Sequence, residues 1–124
     1  MTKAKILVVD DDEAIIKSLK DALLVSDFEV LTANNGVLGL ASALNEKPQL
    51  ILTDVKMPLL DGMSMLKELR KSGDWGKKVP VIVLTNLERT EDIEKAIELG
   101  AQTYLVKMQY NLTEVIEKIR KIIE

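Results

Sequence analysis

The chain has 124 residues, 47% hydrophobic and 30% charged, a length and balance that suit one globular domain and exclude a disordered chain. It has neither cysteine nor histidine, which removes disulfides, thiolate metal sites, most zinc sites and imidazole-based catalysis. The formal charge is −3 with Lys and Arg dispersed, and no apolar run suits a signal peptide or a membrane span; direct nucleic acid binding and membrane insertion are not expected, and a cytoplasmic location is.

Short apolar runs alternate with helical patterns. Lys5–Val9 is apolar and β-branched, the mark of a strand buried on both faces. Ile15, Ile16, Leu19, Ala22 and Leu23 then recur at helical spacing, with Asp11 or Asp12 available as the N-cap. Phe28–Thr32 is a second, more polar strand, which suits a position nearer an edge, and Leu38, Leu40, Ala41 and Leu44 mark a second helix. Gln49–Thr53 is the third strand. Asp61 caps a third helix carrying Met63, Leu66 and Leu69, and 72–78 reads as a polar loop. Val79–Leu84 is the fourth strand, with Pro80 at its start, where a missing N–H is tolerated. Thr90 opens a fourth helix through Ile93, Ala96, Ile97 and Leu99, and Gly100 is its C-cap. Thr103–Val106 is the fifth strand; Asn111 and Glu114 form a capping box before a fifth helix with Leu112, Val115, Ile116, Ile119, Ile122 and Ile123. This alternation predicts an α/β fold over residues 1–124, a single doubly wound parallel sheet of five strands.

Ligand crevices in such sheets lie at the carboxyl ends of the strands. The first strand ends in Asp10-Asp11-Asp12, the third in Asp54, the fourth in Thr85 and the fifth in Lys107. Two carboxylates about 4 Å apart repel by roughly 4 kcal/mol at an effective dielectric near 20, and Lys107 offsets only part of that. A hard divalent cation is the natural remedy, and an all-oxygen site suits Mg²⁺, with Mn²⁺ as a substitute. A carboxylate nucleophile beside such an ion suggests phosphoryl chemistry, with the Thr85 hydroxyl and the Lys107 ammonium on the phosphoryl oxygens.

Four segments carry a resemblance over essentially the whole chain: Ile6–Asp12, Leu52–Gly62, Val81–Thr85 and Gly100–Lys107. Together they resemble the receiver domain of bacterial response regulators, the CheY-like family. The resemblance implies the flavodoxin-like strand order 2-1-3-4-5. It makes Asp54 the phosphoacceptor and Asp10 and Asp11 the acidic pair, Asp11 a direct metal ligand and Asp10 acting largely through water. The carbonyl of Lys56 completes the protein ligands, and Thr85 and Tyr104 fall on the two switch positions. The implied partners are a histidine kinase or histidine phosphotransfer protein and an output protein. A monomer is expected, with a phosphorylation-dependent dimer as the alternative.

Two positions depart from the family pattern. Asn86 replaces a residue that is usually small, and Met108 replaces the proline that usually follows the lysine in a cis peptide. A cis bond before a non-proline costs roughly 2.5–4 kcal/mol, so the reach of Lys107 is left open. A donor histidine must reach Asp54, which nominates Ala14, Ile15, Ser18 and Met108 as docking residues.

Taken singly these residues have plainer readings: a helix cap for Asp11, a strand-end hydroxyl for Thr85, a half-buried core residue for Tyr104, a solvated amine for Lys107. Their placement on four strand ends is what favours a site. A haloacid-dehalogenase-like phosphatase would need Thr or Val where Ala14 stands, and a flavodoxin would need a Gly/Ser/Thr-rich loop where the acidic run stands. A degenerate receiver acting as a constitutive binding module is the remaining alternative. The expected role is a signalling phosphoacceptor, not a metabolic enzyme, either stand-alone, a relay intermediate or part of a longer chain.

Overall fold

The computed structural model describes residues 3–85, 90–106 and 111–124, with the side chains of 85 and 90–92 excluded. Among the described residues the chain runs β1 (Lys5–Val9), α1 (Glu13–Val25), β2 (Glu29–Ala33), α2 (Gly36–Glu46), β3 (Leu50–Asp54), α3 (Gly62–Arg70), α4 (Gly73–Lys78), β4 (Val81–Thr85), α5 (Thr90–Glu98), β5 (Thr103–Val106) and α6 (Leu112–Ile123). All strand pairings are parallel and the order is β2-β1-β3-β4-β5, as the resemblance implied. The apolar strands β1, β3 and β4 take the centre. The more polar β2 and β5 take the edges, where one side of the ladder is open.

Alternate strand residues feed two layers. Ile6, Val8, Leu50, Leu52, Ile82, Leu84 and Leu105 pack against Leu19 and Leu23 of α1 and Val115 and Ile119 of α6. On the other face Leu7, Val9, Ile51, Val81 and Val83 meet Ala43 of α2, Met65, Leu66 and Leu69 of α3, and Ala96 of α5. Every strand crossover is thus covered by an apolar helix stripe, which a fully parallel sheet requires.

Caps set the helix ends. Asp12, not Asp11, caps α1, its carboxylate accepting from the N–H groups of Ala14 at 3.0 Å and Ile15 at 3.3 Å. Asp61 caps α3 through the Ser64 N–H at 2.8 Å, and Asn111 accepts from the Glu114 N–H at 2.9 Å. α5 is described from Thr90 onward, and the capping role expected of the Thr90 side chain lies outside the described residues. Gly100, at φ +89°, ends α5 in a Schellman motif: its N–H reaches the Ile97 carbonyl and that of Ala101 the Ala96 carbonyl, both at 2.9 Å. The same motif ends α1, with Asp27 at φ 71° in the position glycine usually fills.

The structure corrects one element. The polar segment expected as a loop contains α4, held from α3 by Arg70, whose Nη1 donates to the carbonyls of Gly76 at 2.8 Å and Val79 at 2.9 Å. Its Nη2 reaches the Gly100 carbonyl at 2.6 Å and its Nε the Leu99 carbonyl at 3.3 Å, so one guanidinium joins α3, α4 and the α5–β5 turn. Burial pushes the Arg70 guanidinium below its ordinary value. The fork geometry that serves four carbonyls at once is particular to arginine. The expected bounds of β1 and β5 hold, and those of β2, β3 and β4 move by one or two residues, the ordinary scatter at element ends.

Two stability effects follow from these ends. Asp27→Gly relieves a left-handed backbone that costs other residues about 1–2 kcal/mol, less for Asp. After loss of the exposed Lys3–Asp27 ion pair, the net gain should be about 0.5 kcal/mol by urea denaturation, with Asp27→Ala falling below wild type. Arg70→Lys keeps the charge but loses the fork, and should cost about 2 kcal/mol in the same titration.

Candidate functional site

Strand β1 ends at Val9 and β3 at Asp54, and the pairing of Val9 with Thr53 sets Asp10 beside Asp54 at the carboxyl edge. Here the chain order reverses, β1 lying between β2 and β3, which is where doubly wound sheets open a crevice. Asp10 and Asp54 are buried and Asp11 is exposed. One carboxylate oxygen from each of Asp10, Asp11 and Asp54 lies within 4.8 Å of the others.

The backbone orients the two buried carboxylates. The Asp12 N–H donates to Asp10 Oδ1 at 2.9 Å, and the Val55 N–H to Asp54 Oδ1 at 2.8 Å. Behind them the Thr53 hydroxyl donates to the Asp54 carbonyl at 3.1 Å. Gly62 lies directly against that carbonyl, which a side chain at 62 would strike, and its N–H donates to the Val55 carbonyl at 2.8 Å. In the sequence this role of Gly62 shows only as the Asp61-Gly62 pair, a cap followed by a residue with no Cβ.

With their nearest oxygens no more than 4.8 Å apart, and at an effective dielectric near 20, two such carboxylates repel by about 3.5 kcal/mol or more. Asp11, in contact with water, adds less. Two buried carboxylates and one exposed one form a hard, all-oxygen donor set. It fits a small divalent cation such as Mg²⁺, which takes few protein ligands and keeps several waters.

The other expected residues divide. Lys56 follows Asp54 by two positions in the loop after β3 and its side chain is exposed. The backbone of Thr85 pairs with Val106, and Tyr104 pairs with Val83, so Tyr104 stands two residues before the partner of Thr85 on β5. Tyr104 is exposed rather than half-buried. Ala14, Ile15 and Ser18 lie in the first turns of α1, directly after Asp11; Ala14 and Ser18 are exposed and Ile15 is partly buried. Ser18 also lines a groove between α1 and α6 with Leu112 and Ile116. Lys107, Met108 and Asn86 lie outside the described residues, as does the side chain of Thr85.

The profile of the response regulator receiver domain matches residues 6–120. The transcriptional regulatory protein PrrA of Mycobacterium tuberculosis is 37% identical over 123 residues, which are 99% of this chain and 51% of that protein. The chain therefore spans about half the length of the curated relatives it matches. The chemotaxis response regulator CheY4 of Vibrio cholerae superposes with a TM-score of 0.89 at 30% identity, covering 98% of this chain and 99% of that one. The receiver domain of the sensor histidine kinase PA1611 of Pseudomonas aeruginosa superposes with a TM-score of 0.88 at 27% identity, covering 98% of each chain; that structure has a magnesium ion coordinated in its active site cleft.

The carboxylate geometry predicts a metal response. A cation that binds only the folded state at a hundredfold excess over its Kd stabilises by about 2.7 kcal/mol. Mg²⁺ should then raise the melting temperature by roughly 10 °C in calorimetry. Asp11→Ala should lose that rise while melting slightly higher than wild type without metal, since one repelling charge is gone. An unchanged Mg²⁺ response would remove Asp11 from the ligand set.

Proposed function

The chain belongs to the response regulator receiver domain family, and from that membership we propose that Asp54 accepts a phosphoryl group from a phosphohistidine donor. The observation that carries the proposal is the strand register that gathers Asp10, Asp11 and Asp54 within 4.8 Å at the reversal of strand order. The reading treats residues 1–124 as one receiver domain.

In this reading Asp54 Oδ1 is held by the Val55 N–H, and Oδ2 attacks. A bond forms from Oδ2 to phosphorus as the phosphorus–nitrogen bond to the donor imidazole breaks, and the imidazole leaves with the electron pair. Positioning and charge neutralisation carry most of such a transfer. Asp10, Asp11, Asp54 and the Lys56 carbonyl would hold the cation. When bound, Mg²⁺ supplies positive charge against the phosphoryl oxygens and the gathered carboxylates. Buried Asp10, fixed by the Asp12 N–H, gives the site its rigid wall. The Thr85 hydroxyl and the Lys107 ammonium are assigned to the phosphoryl oxygens, which would carry a charge of about −1.5 to −2.

Thr85 and Tyr104 are assigned as the switch. An inward pull on Thr85 would be passed to Tyr104 through adjoining ladder positions on β4 and β5, changing the face formed by α5, β5 and α6. The phosphodonor, a histidine kinase or histidine phosphotransfer protein of the cytoplasm, would dock on Ala14, Ile15, Ser18 and Met108, and an output protein would read the switched face. Nucleic acid is not assigned as a ligand of these 124 residues, whose net charge is −3.

Incubation with acetyl phosphate and Mg²⁺ should add one phosphoryl group to the wild-type chain by intact-mass spectrometry and none to Asp54→Asn. Equal labelling of both would move the acceptor elsewhere.

A further inference from the structure

Arg70 fastens parts of the chain that lead into different strands. The Val79 carbonyl, which its Nη1 meets at 2.9 Å, lies just before β4. The Gly100 carbonyl, which its Nη2 meets at 2.6 Å, lies just before β5. Beside them the Gln102 N–H donates to the Val81 carbonyl at 2.8 Å. The guanidinium therefore holds the amino ends of the two strands whose later residues, Thr85 and Tyr104, occupy the switch positions.

The other two acceptors lie at α4 and α5. Nη1 also serves the Gly76 carbonyl within α4 at 2.8 Å, and Nε serves the Leu99 carbonyl, just after α5, at 3.3 Å. A guanidinium is a rigid plane and cannot follow acceptors that move apart. N–H···O bonds weaken beyond about 3.2 Å, and elements shift by about 1–2 Å in switching proteins. A displacement of that size between β5 and β4 breaks part of the fork.

α4 depends heavily on that fork. It has six residues, Gly73 and Gly76 among them, and Ser72 gives its N-cap no side-chain bond. A helix so short is not stable by itself. Its half-buried Trp75 packs against the same core cluster as Leu99. Trp75 and Lys78 also line a cleft of about 470 Å³ with Pro48 and Pro80. Those prolines precede β3 and β4, so the cleft lies at the end of the sheet opposite Asp54.

Resting on the reading of Asp54 as acceptor and of Thr85 with Tyr104 as switch, we propose that Arg70 carries the switch to this far end. Phosphorylation strains the fork, α4 loosens, and the Trp75 cleft becomes a second surface whose shape depends on the state of Asp54. In the unphosphorylated chain all four carbonyls are served, so the fork also restrains the switch. Coupling between two sites is reciprocal. Arg70 is thus a positioning residue that acts on the switch from the opposite end of β4 and β5.

Trp75 is the sole tryptophan, so its emission reads α4 alone. Beryllofluoride with Mg²⁺, a mimic of the bound phosphoryl group, should raise the acrylamide quenching constant of Trp75 at least twofold over Mg²⁺ alone. Asp54→Asn should show no such rise. Arg70→Lys, held well below its melting temperature, should start with the higher quenching and lose most of the response. It should also bind beryllofluoride at least threefold more tightly by calorimetric titration, because no fork remains to be strained. In NMR spectra of the wild-type chain the Arg70 Nε–H resonance should shift on adding beryllofluoride, a readout that does not depend on how the variant folds. An unmoved Arg70 resonance, an unchanged Trp75 environment, or an unchanged affinity in folded Arg70→Lys overturns the relay. If acetyl phosphate labels Asp54 by intact mass while Trp75 stays silent, the relay alone fails. If Asp54 takes no phosphate, the underlying reading fails and the relay with it.

Discussion

The buried carboxylates of Asp10 and Asp54 repel each other, and the rest of the molecule is arranged to hold them together regardless. Their separation is set by the pairing of Val9 with Thr53, in the middle of a sheet whose central strands are apolar from Ile6 to Val9 and from Leu50 to Leu52. One residue of slip in that pairing would swap the rows that a strand sends to the two helix layers, spoiling the packing of both and dispersing the acidic set. The same burial that stabilises β1 and β3 therefore stabilises the site. A cation that binds between these carboxylates would lower that repulsion and so stabilise the folded chain.

The strands and most helices were legible because their signals are local and redundant. Apolar runs of five residues and caps such as Asp61 and Asn111 each imply a boundary without knowledge of the rest of the chain. The edge position of β2 followed from its polarity, and that of β5 from the strand order that the resemblance implied. The segment 72–78 has the sequence of a loop because Gly73 and Gly76 disfavour a helix by propensity, whereas what holds α4 is Arg70, from another element. Tertiary contacts overrode the local preference.

The site divides the same way. Asp10, Asp11 and Asp54 stood out because a charge at the end of a buried strand is conspicuous. Asp12 and Asp11 were equivalent as caps until the backbone was seen, when the Ala14 and Ile15 N–H groups chose Asp12 and left Asp11 to the crevice. Gly62 carried no such signal. Its significance lies in a backbone approach, which cannot be read from residue type.

Arg70 lies away from the crevice, with α4 and the turn before β5 as its partners. Because its guanidinium serves carbonyls from both segments, opening either one strips acceptors from the side chain that also holds the other. Local unfolding there becomes a shared event rather than two independent ones. Amide protons of α4 and of the α5 terminus then exchange with solvent through a common opening, as one cooperative unit assembled around a single side chain.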